Sequence, residues 1–187
     1  PDNLDARYRL GLIFLETSDV MNAVRELDFI VARSPDSRVG QASQKTLDKV
    51  AKRWNVIDIR AVLADEAALI VRLKNNPEDA VALMEMGDLL IRQKRRAEAV
   101  KYYEQAIAVA DDSGTERDAK IKMGILKAFT QGQEGDKEGA YAEFQKVLAL
   151  DENNVIANMN VAAYFLSKKD YAAAKLAYQR SLKAQPD

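Results

Sequence analysis

Neither histidine nor cysteine occurs among the 187 residues. The first absence removes the commonest general base and the commonest metal ligand. The second removes thiolate nucleophiles, disulfides and Cys-type zinc sites. Arg92, Lys94, Arg95 and Arg96 form a basic cluster that could meet a phosphate or an acidic peptide, but it reads more simply as a solvated turn. Asp111-Asp112 and Asp151-Glu152 pair acids without the convergent ligands of a calcium loop. Acids there suit helix N-termini, whose unsatisfied N–H groups and positive dipole end attract them. Gly132, Gly135 and Gly139 lie close together, yet the Gly-Lys-Ser/Thr element of a phosphate-binding loop is missing. Trp54, directly after Lys52-Arg53, reads as a plug at a helix end, with an exposed binding anchor as the competing use. Catalysis by carboxylate or lysine survives as a formal possibility only. The chain is expected to be no enzyme, with no cofactor and no metal.

Composition points the same way. Lys+Arg number 28 against Asp+Glu 29, a net charge of −1, without the basic excess of a dedicated nucleic-acid binder. No apolar stretch approaches the roughly 20 residues of a membrane span; Ala67-Ala68-Leu69-Ile70-Val71 is broken by charge within a turn. No nucleic-acid partner and no direct membrane insertion are expected. The compartment stays open between cytoplasm and periplasm.

Apolar residues make up 48% of the chain, and they recur at helical spacing. Helices are expected over 4–17, 20–33, 38–53, 58–75, 79–93, 96–110, 115–131, 137–149, 154–167 and 170–184, with no competing strand pattern. Asn76-Pro77-Glu78-Asp79 and Asp151-Glu152-Asn153-Asn154 supply turn and capping residues. A longer period overlies the helical one. Gly11, Gly87 and Ala162 each precede a second small residue (Ala23, Ala99, Ala174) by 12 positions, and a large residue (Leu27, Tyr103, Tyr178) follows four later. Small residues let two antiparallel helices approach closely, and the large one fills the space beside the contact. In a further segment the corresponding pair is read as Gly124 and Ala140, 16 positions apart, with the excess assigned to an extended turn over 130–136. Residues 37–76 keep the helices but lose the signature.

The pattern resembles the tetratricopeptide-repeat (TPR) family, whose 34-residue helix–turn–helix units carry a small residue in each helix. The resemblance implies an all-α, right-handed superhelical solenoid of antiparallel helix pairs over 1–187. Its expected units are 4–36, a degenerate long repeat at 37–76, 77–113, 114–153 with a loop insertion, and 154–187. The opening Pro1-Asp2-Asn3 and closing Gln185-Pro186-Asp187 both match repeat boundaries, so an excerpt of a longer array is expected. Leu73-Lys74-Asn75-Asn76-Pro77, the 130–139 segment and Val147-Leu148-Ala149-Leu150-Asp151 give the last three repeats a likeness to bacterial envelope-assembly TPR modules, such as those that deliver apocytochromes to haem ligation.

In that family the first helix of each repeat lines the concave face. By repeat position the resemblance implies partner-binding roles for Tyr8, Leu12, Leu15, Met84, Asp88, Ile91, Ile121, Lys122, Ile125, Met159, Asn160 and Ala163. Methionines and aliphatics there suit a surface that repacks around an apolar helix or peptide; the competing reading makes many of them core between layers. The family's clamp for acidic C-terminal peptides is not expected, because Met84, Asp88, Lys122, Ile156 and Asn160 hold its positions and only Lys122 has the needed charge. The function expected is a protein–protein interaction module holding a partner peptide or helix in a partly apolar groove, as part of an assembly or targeting complex. The alternatives are a self-associating scaffold, or a regulatory array attached to an enzyme elsewhere in a longer chain.

Overall fold

A computed structural model describes residues 3–184 of the chain. Pro1-Asp2 and Gln185-Pro186-Asp187, expected at repeat boundaries, lie outside the described residues. Among the described residues run ten helices: α1 (Leu4–Glu16), α2 (Val20–Arg33), α3 (Arg38–Ala51), α4 (Val56–Asn75), α5 (Ala80–Arg92), α6 (Arg96–Val109), α7 (Ser113–Gln133), α8 (Lys137–Leu150), α9 (Val155–Ser167) and α10 (Tyr171–Ala184). No strand occurs among the described residues. The helix starts follow local chemistry. Asn3, Asp19, Ser37, Asp79, Asp112, Asp136 and Asn154 each accept a hydrogen bond from a backbone N–H in the first turn they precede. These bonds satisfy donors that the helix itself leaves open. Hydrogen bonds from the Thr115 side chain, and then from its backbone N–H, hold the Asp112 carboxyl below the usual range. Asp112 of the acid pair at 111–112 is thus a helix cap.

The chain divides into two compact units, 1–70 and 71–187, with the boundary inside α4. In the first unit Val24, Leu27, Leu47, Val50 and Val56 form the core, covered by half-buried Tyr8, Leu15, Trp54, Ile59 and Leu63. Trp54 closes the end of α3 with the Arg53 guanidinium 4.7 Å above its ring, the plug expected of it. Gly40 permits a close approach: a Cβ there would lie 1.9 Å from the Ser34 carbonyl oxygen, so α3 can start against the end of α2 only without a side chain. Bonds from Arg25 to Glu66 and from Arg60 to Asp28, each 2.6 Å at the shortest, tie α4 to α2.

The second unit stacks helix pairs. Leu83, Ala106 and Ala119 form one cluster among α5, α6 and α7. Ala128, Phe144, Val147, Ala157, Val161, Ala162 and Ala177 form another across α7 to α10. Gly87 lies where α5 meets α6: an added Cβ would stand 2.6 Å from the Tyr103 ring, which is why the small residue of this repeat is a glycine. Tyr103, Phe144 and Leu27, large residues of three repeats, are all buried.

The helix pairs share one turn. α1–α2, α5–α6, α7–α8 and α9–α10 are each joined by three residues. The second of the three has positive φ in every case: Ser18 at 61°, Lys94 at 63°, Gly135 at 90° and Lys169 at 62°. The third donates its N–H five residues back, Asp19 to Phe14, Arg95 to Leu90, Asp136 to Gln131 and Asp170 to Phe165. This is the Schellman closure of a helix C-terminus. The same aspartates at 19, 136 and 170 then cap the following helix.

This common turn corrects the expected register at 114–153. Counted back from Gly135, the small residue equivalent to Gly11, Gly87 and Ala162 is Ala128, not Gly124. Ala128 lies 12 positions before Ala140 and 34 before Ala162, and it is buried against Phe144. No loop is inserted at 130–136: α7 continues to Gln133 and the turn has its normal length. The extra residues lie at the front of α7, which has 21 residues against 13 in α1, α5 and α9. Measured from the small residue, those three begin seven positions before it and α7 fifteen, so Ser113–Lys120 add two turns, about 12 Å at 1.5 Å per residue. Ala119 seats this extension against Leu83 and Ala106. Gly124 imitates the signature because it lies one turn from Ala128 and makes a close contact of its own: a Cβ added there would lie 2.8 Å from the Val147 side chain.

Candidate partner-binding face

Register decides which first-helix residues correspond. Relative to the small residue, the position three before holds Tyr8, Met84, Ile125 and Met159. The next residue holds Leu12, Asp88, Phe129 and Ala163, and the fourth after it Leu15, Ile91, Gly132 and Leu166. Counted from Gly124 the counterparts of Met84 and Asp88 would be Ile121 and Ile125; counted from Ala128 they are Ile125 and Phe129.

In the first unit Tyr8 and Leu15 are half-buried on the core, and the Tyr8 hydroxyl lies 3.3 Å from the Thr46 hydroxyl. Leu12 is exposed. In the second unit Met84 covers the Leu83 cluster and Ile91 is half-buried. Ile121 and Ile125 cover the Ala128 cluster. Met159 is 50% exposed. Asp88 and Lys122 hold each other, Nζ to Oδ2 at 2.7 Å, and the buried Tyr103 hydroxyl donates to the same carboxylate at 2.6 Å. Burial, with this hydrogen bond second, pushes the Tyr103 phenol far above its ordinary value.

The remaining two candidates, Asn160 and Ala163, line an open cavity of about 350 Å³ between α7, α8 and α9. Its walls are aromatic. Phe129 meets Phe144 edge-to-face at 5.6 Å, and Tyr141 stacks on Tyr164 at 4.2 Å. Ala128, Gly132, Ala140 and Ala163 contribute only small side chains to its lining. The space has a sequence cause: Gly132 and Ala163 stand where other repeats carry Ile91 or Leu15 and Asp88 or Leu12. Its polar rim is Gln133, Lys137, Asn160 and Ser167, with no acidic side chain. Asn160 donates to the Ile156 carbonyl at 2.8 Å and Ser167 to that of Tyr164 at 2.7 Å. Phe129, Gly132, Lys137, Tyr141 and Tyr164 are not among the residues that the repeat pattern nominates. The 34-residue repeat of Ala128 and Ala162, Ala140 and Ala174, and Phe144 and Tyr178 is the signal that finds the first two.

No group of His, Cys, Asp and Glu side chains able to hold a metal ion occurs among the described residues, and none of their helices is long and apolar enough to cross a membrane.

Two family models described as tetratricopeptide repeat match residues 73–113 and 130–187, together more than half of the chain. No curated protein matches it in sequence. Among solved structures it is similar to PilF of Pseudomonas aeruginosa, at 19% identity and TM-score 0.51, over 98% of this chain and 77% of that one. It is also similar to MamA, at 17% identity and TM-score 0.50, over 98% and 95% of the two chains. PilW, described as a widely conserved type IV pilus biogenesis factor, matches at 17% identity and TM-score 0.50, over 98% and 78%. At these identities the likeness is one of fold.

Proposed function

The chain belongs to the tetratricopeptide-repeat family, a family of protein-interaction scaffolds, and on that premise we propose that it binds a partner peptide or helix along the face of its first helices. One observation carries this reading: the aromatic cavity between α7, α8 and α9 opens beside exposed Phe129 and Ala163. Ligand sites are concave and mostly apolar, with a few polar groups to fix orientation, and this cavity has that composition. Met84, Ile91, Ile125 and Met159 supply further apolar surface on the same kind of helix, at positions that remain partly accessible.

The test is a random peptide library selected on the intact chain, followed by affinity measurements on two variants. Gly132→Leu fills the cavity, and its added Cβ meets only the Ala140 methyl at 3.8 Å, so the fold is retained. Ile57→Asp alters a residue 78% exposed in the other unit. Selected peptides should lose at least tenfold in affinity with Gly132→Leu and nothing with Ile57→Asp. Peptides indifferent to Gly132→Leu would overturn the proposal.

Self-association is a second reading, favoured by exposed Tyr171, Leu176 and Leu182 on α10. It predicts that solution mass rises with concentration and that Leu182→Asp suppresses the rise.

A further inference from the structure

Resting on that reading, the geometry points to the chemistry of the occupant: the cavity takes an aromatic side chain from a linear segment whose neighbouring residue is acidic. The first half follows from shape. Phe129, Tyr141, Phe144 and Tyr164 present ring faces and edges around a space floored by small residues, and aromatic rings pack most favourably edge-to-face or offset-stacked on other rings. At about 350 Å³ the space is at the small end of ligand pockets, which run from about 300 to 1,000 Å³. It suits one large side chain with its flanking backbone.

The second half follows from charge. An aromatic box with acidic neighbours would suit a cation, but the only ionisable lining residue besides the tyrosines is Lys137. Its ammonium makes no ion pair among the described residues. Beside it Gln133 accepts from the Arg96 guanidinium at 3.0 Å, and Arg96 likewise has no carboxylate partner there. The nearby Lys168 is already matched by Glu138 at 2.6 Å. Two cations without an ion pair thus flank one rim of an apolar cavity that has no acid of its own; Lys137 feels the charge of Glu138, but that carboxylate is bonded to Lys168, and a carboxylate placed at the rim gains both cations. A lysine or arginine at the same place meets like charge. Rim charges of this kind select partners and speed encounter more than they add raw affinity. The basic cluster at 92–96, a solvated turn by sequence alone, acquires through Arg96 a role at this rim.

The experiment uses two dipeptide probes on the intact chain at low ionic strength, where screening is weakest. N-acetyl-Glu-Trp-amide and N-acetyl-Lys-Trp-amide are titrated with ligand-observed NMR, against N-acetyl-Glu-Ala-amide as the control for the ring. The Glu-Trp probe should bind at least fivefold more tightly than Lys-Trp, and Glu-Ala should not saturate. Lys137→Glu should erase or reverse the preference, and Arg96→Glu should reduce it. Gly132→Leu should abolish binding of both Trp probes. Equal binding of the two Trp probes, both blocked by Gly132→Leu, would overturn the acidic-neighbour assignment and leave the groove reading standing. Trp probes that bind undisturbed by Gly132→Leu, or do not bind at all, would overturn the assignment of the cavity to an aromatic side chain. The library peptides of the preceding section then decide the groove reading separately.

Discussion

At Tyr103 a fully buried phenol donates to the Asp88 carboxylate, which also accepts from Lys122. Two residues that the repeat pattern marks as partner contacts thus already serve one another, linking α5, α6 and α7. Tyr103→Phe removes a hydrogen bond to a charged group while leaving Asp88 its lysine, so it should destabilise by about 1–2 kcal/mol. The effect depends on pH with a definite sign. The folded phenol is held neutral well above the ordinary value of 10.0, so as pH rises past that value the unfolded chain ionises first and stability falls. The loss from this one group approaches about 1.4 kcal/mol per pH unit, and the phenylalanine variant escapes it. Urea denaturation at pH 8 and pH 10.5 should show the wild-type advantage shrinking at the higher pH. A gap that stays constant would show that Tyr103 ionises as freely folded as unfolded.

The pairs α1–α2, α5–α6, α7–α8 and α9–α10 each close through a residue in the left-handed region, and three of these four closures use a non-glycine: Ser18, Lys94 and Lys169. A Cβ in that region crowds the following carbonyl, and glycine avoids the crowding at some entropic cost. Lys94→Gly and Lys169→Gly should therefore each stabilise by about 0.5–1 kcal/mol, and Gly135→Ala should destabilise by a similar amount. Chemical-denaturation midpoints of the three variants measure this. Midpoints lowered by the lysine-to-glycine changes would show that the turns are not held as described. Deleting 132–135 should destabilise as well, because it removes the last two residues of α7 and the residue that the Schellman bonds require.

Across the whole molecule burial is uneven. Only Val56 and Glu66 of the 20 residues of α4 are buried, whereas the 13 residues of α5 include seven that are. Ile57, Ile70 and Val71 are exposed on the long helix. Few buried contacts make local opening easy, and in repeat proteins stability resides mainly in each unit and its neighbours. Native-state hydrogen exchange should accordingly find amides in the middle of α4 less protected than those in the interiors of α5 and α9. Uniform protection from α4 through α9 would contradict this distribution.

The helices were legible because they rest on local rules. Apolar spacing, acids and asparagines before first turns, and small residues 12 apart place ten helices within two residues at every end among the described residues, and α7 alone extends beyond its expected span at both. The pairing of Gly87 with Tyr103, Gly11 with Leu27 and Ala162 with its own partner helix also follows from spacing, since short turns force neighbours to pack antiparallel. One register was also written in the spacing but masked by a near equal. Gly124 and Ala128 are both small and share a helix face one turn apart; only Ala128 lies 12 positions before Ala140 and 34 before Ala162, and the packed position of Phe144 and the positive φ of Gly135 make the choice plain. That choice carried the cavity with it. A missing side chain at Gly132 and Ala163 has meaning only against the rings that three different helices bring to it, and the charge at Lys137 only against a cavity lining that carries no acid. Local sequence determines where a helix runs because its hydrogen bonds close within four residues. A cavity and its charge balance are sums over residues distant in sequence, and the tertiary structure alone performs them.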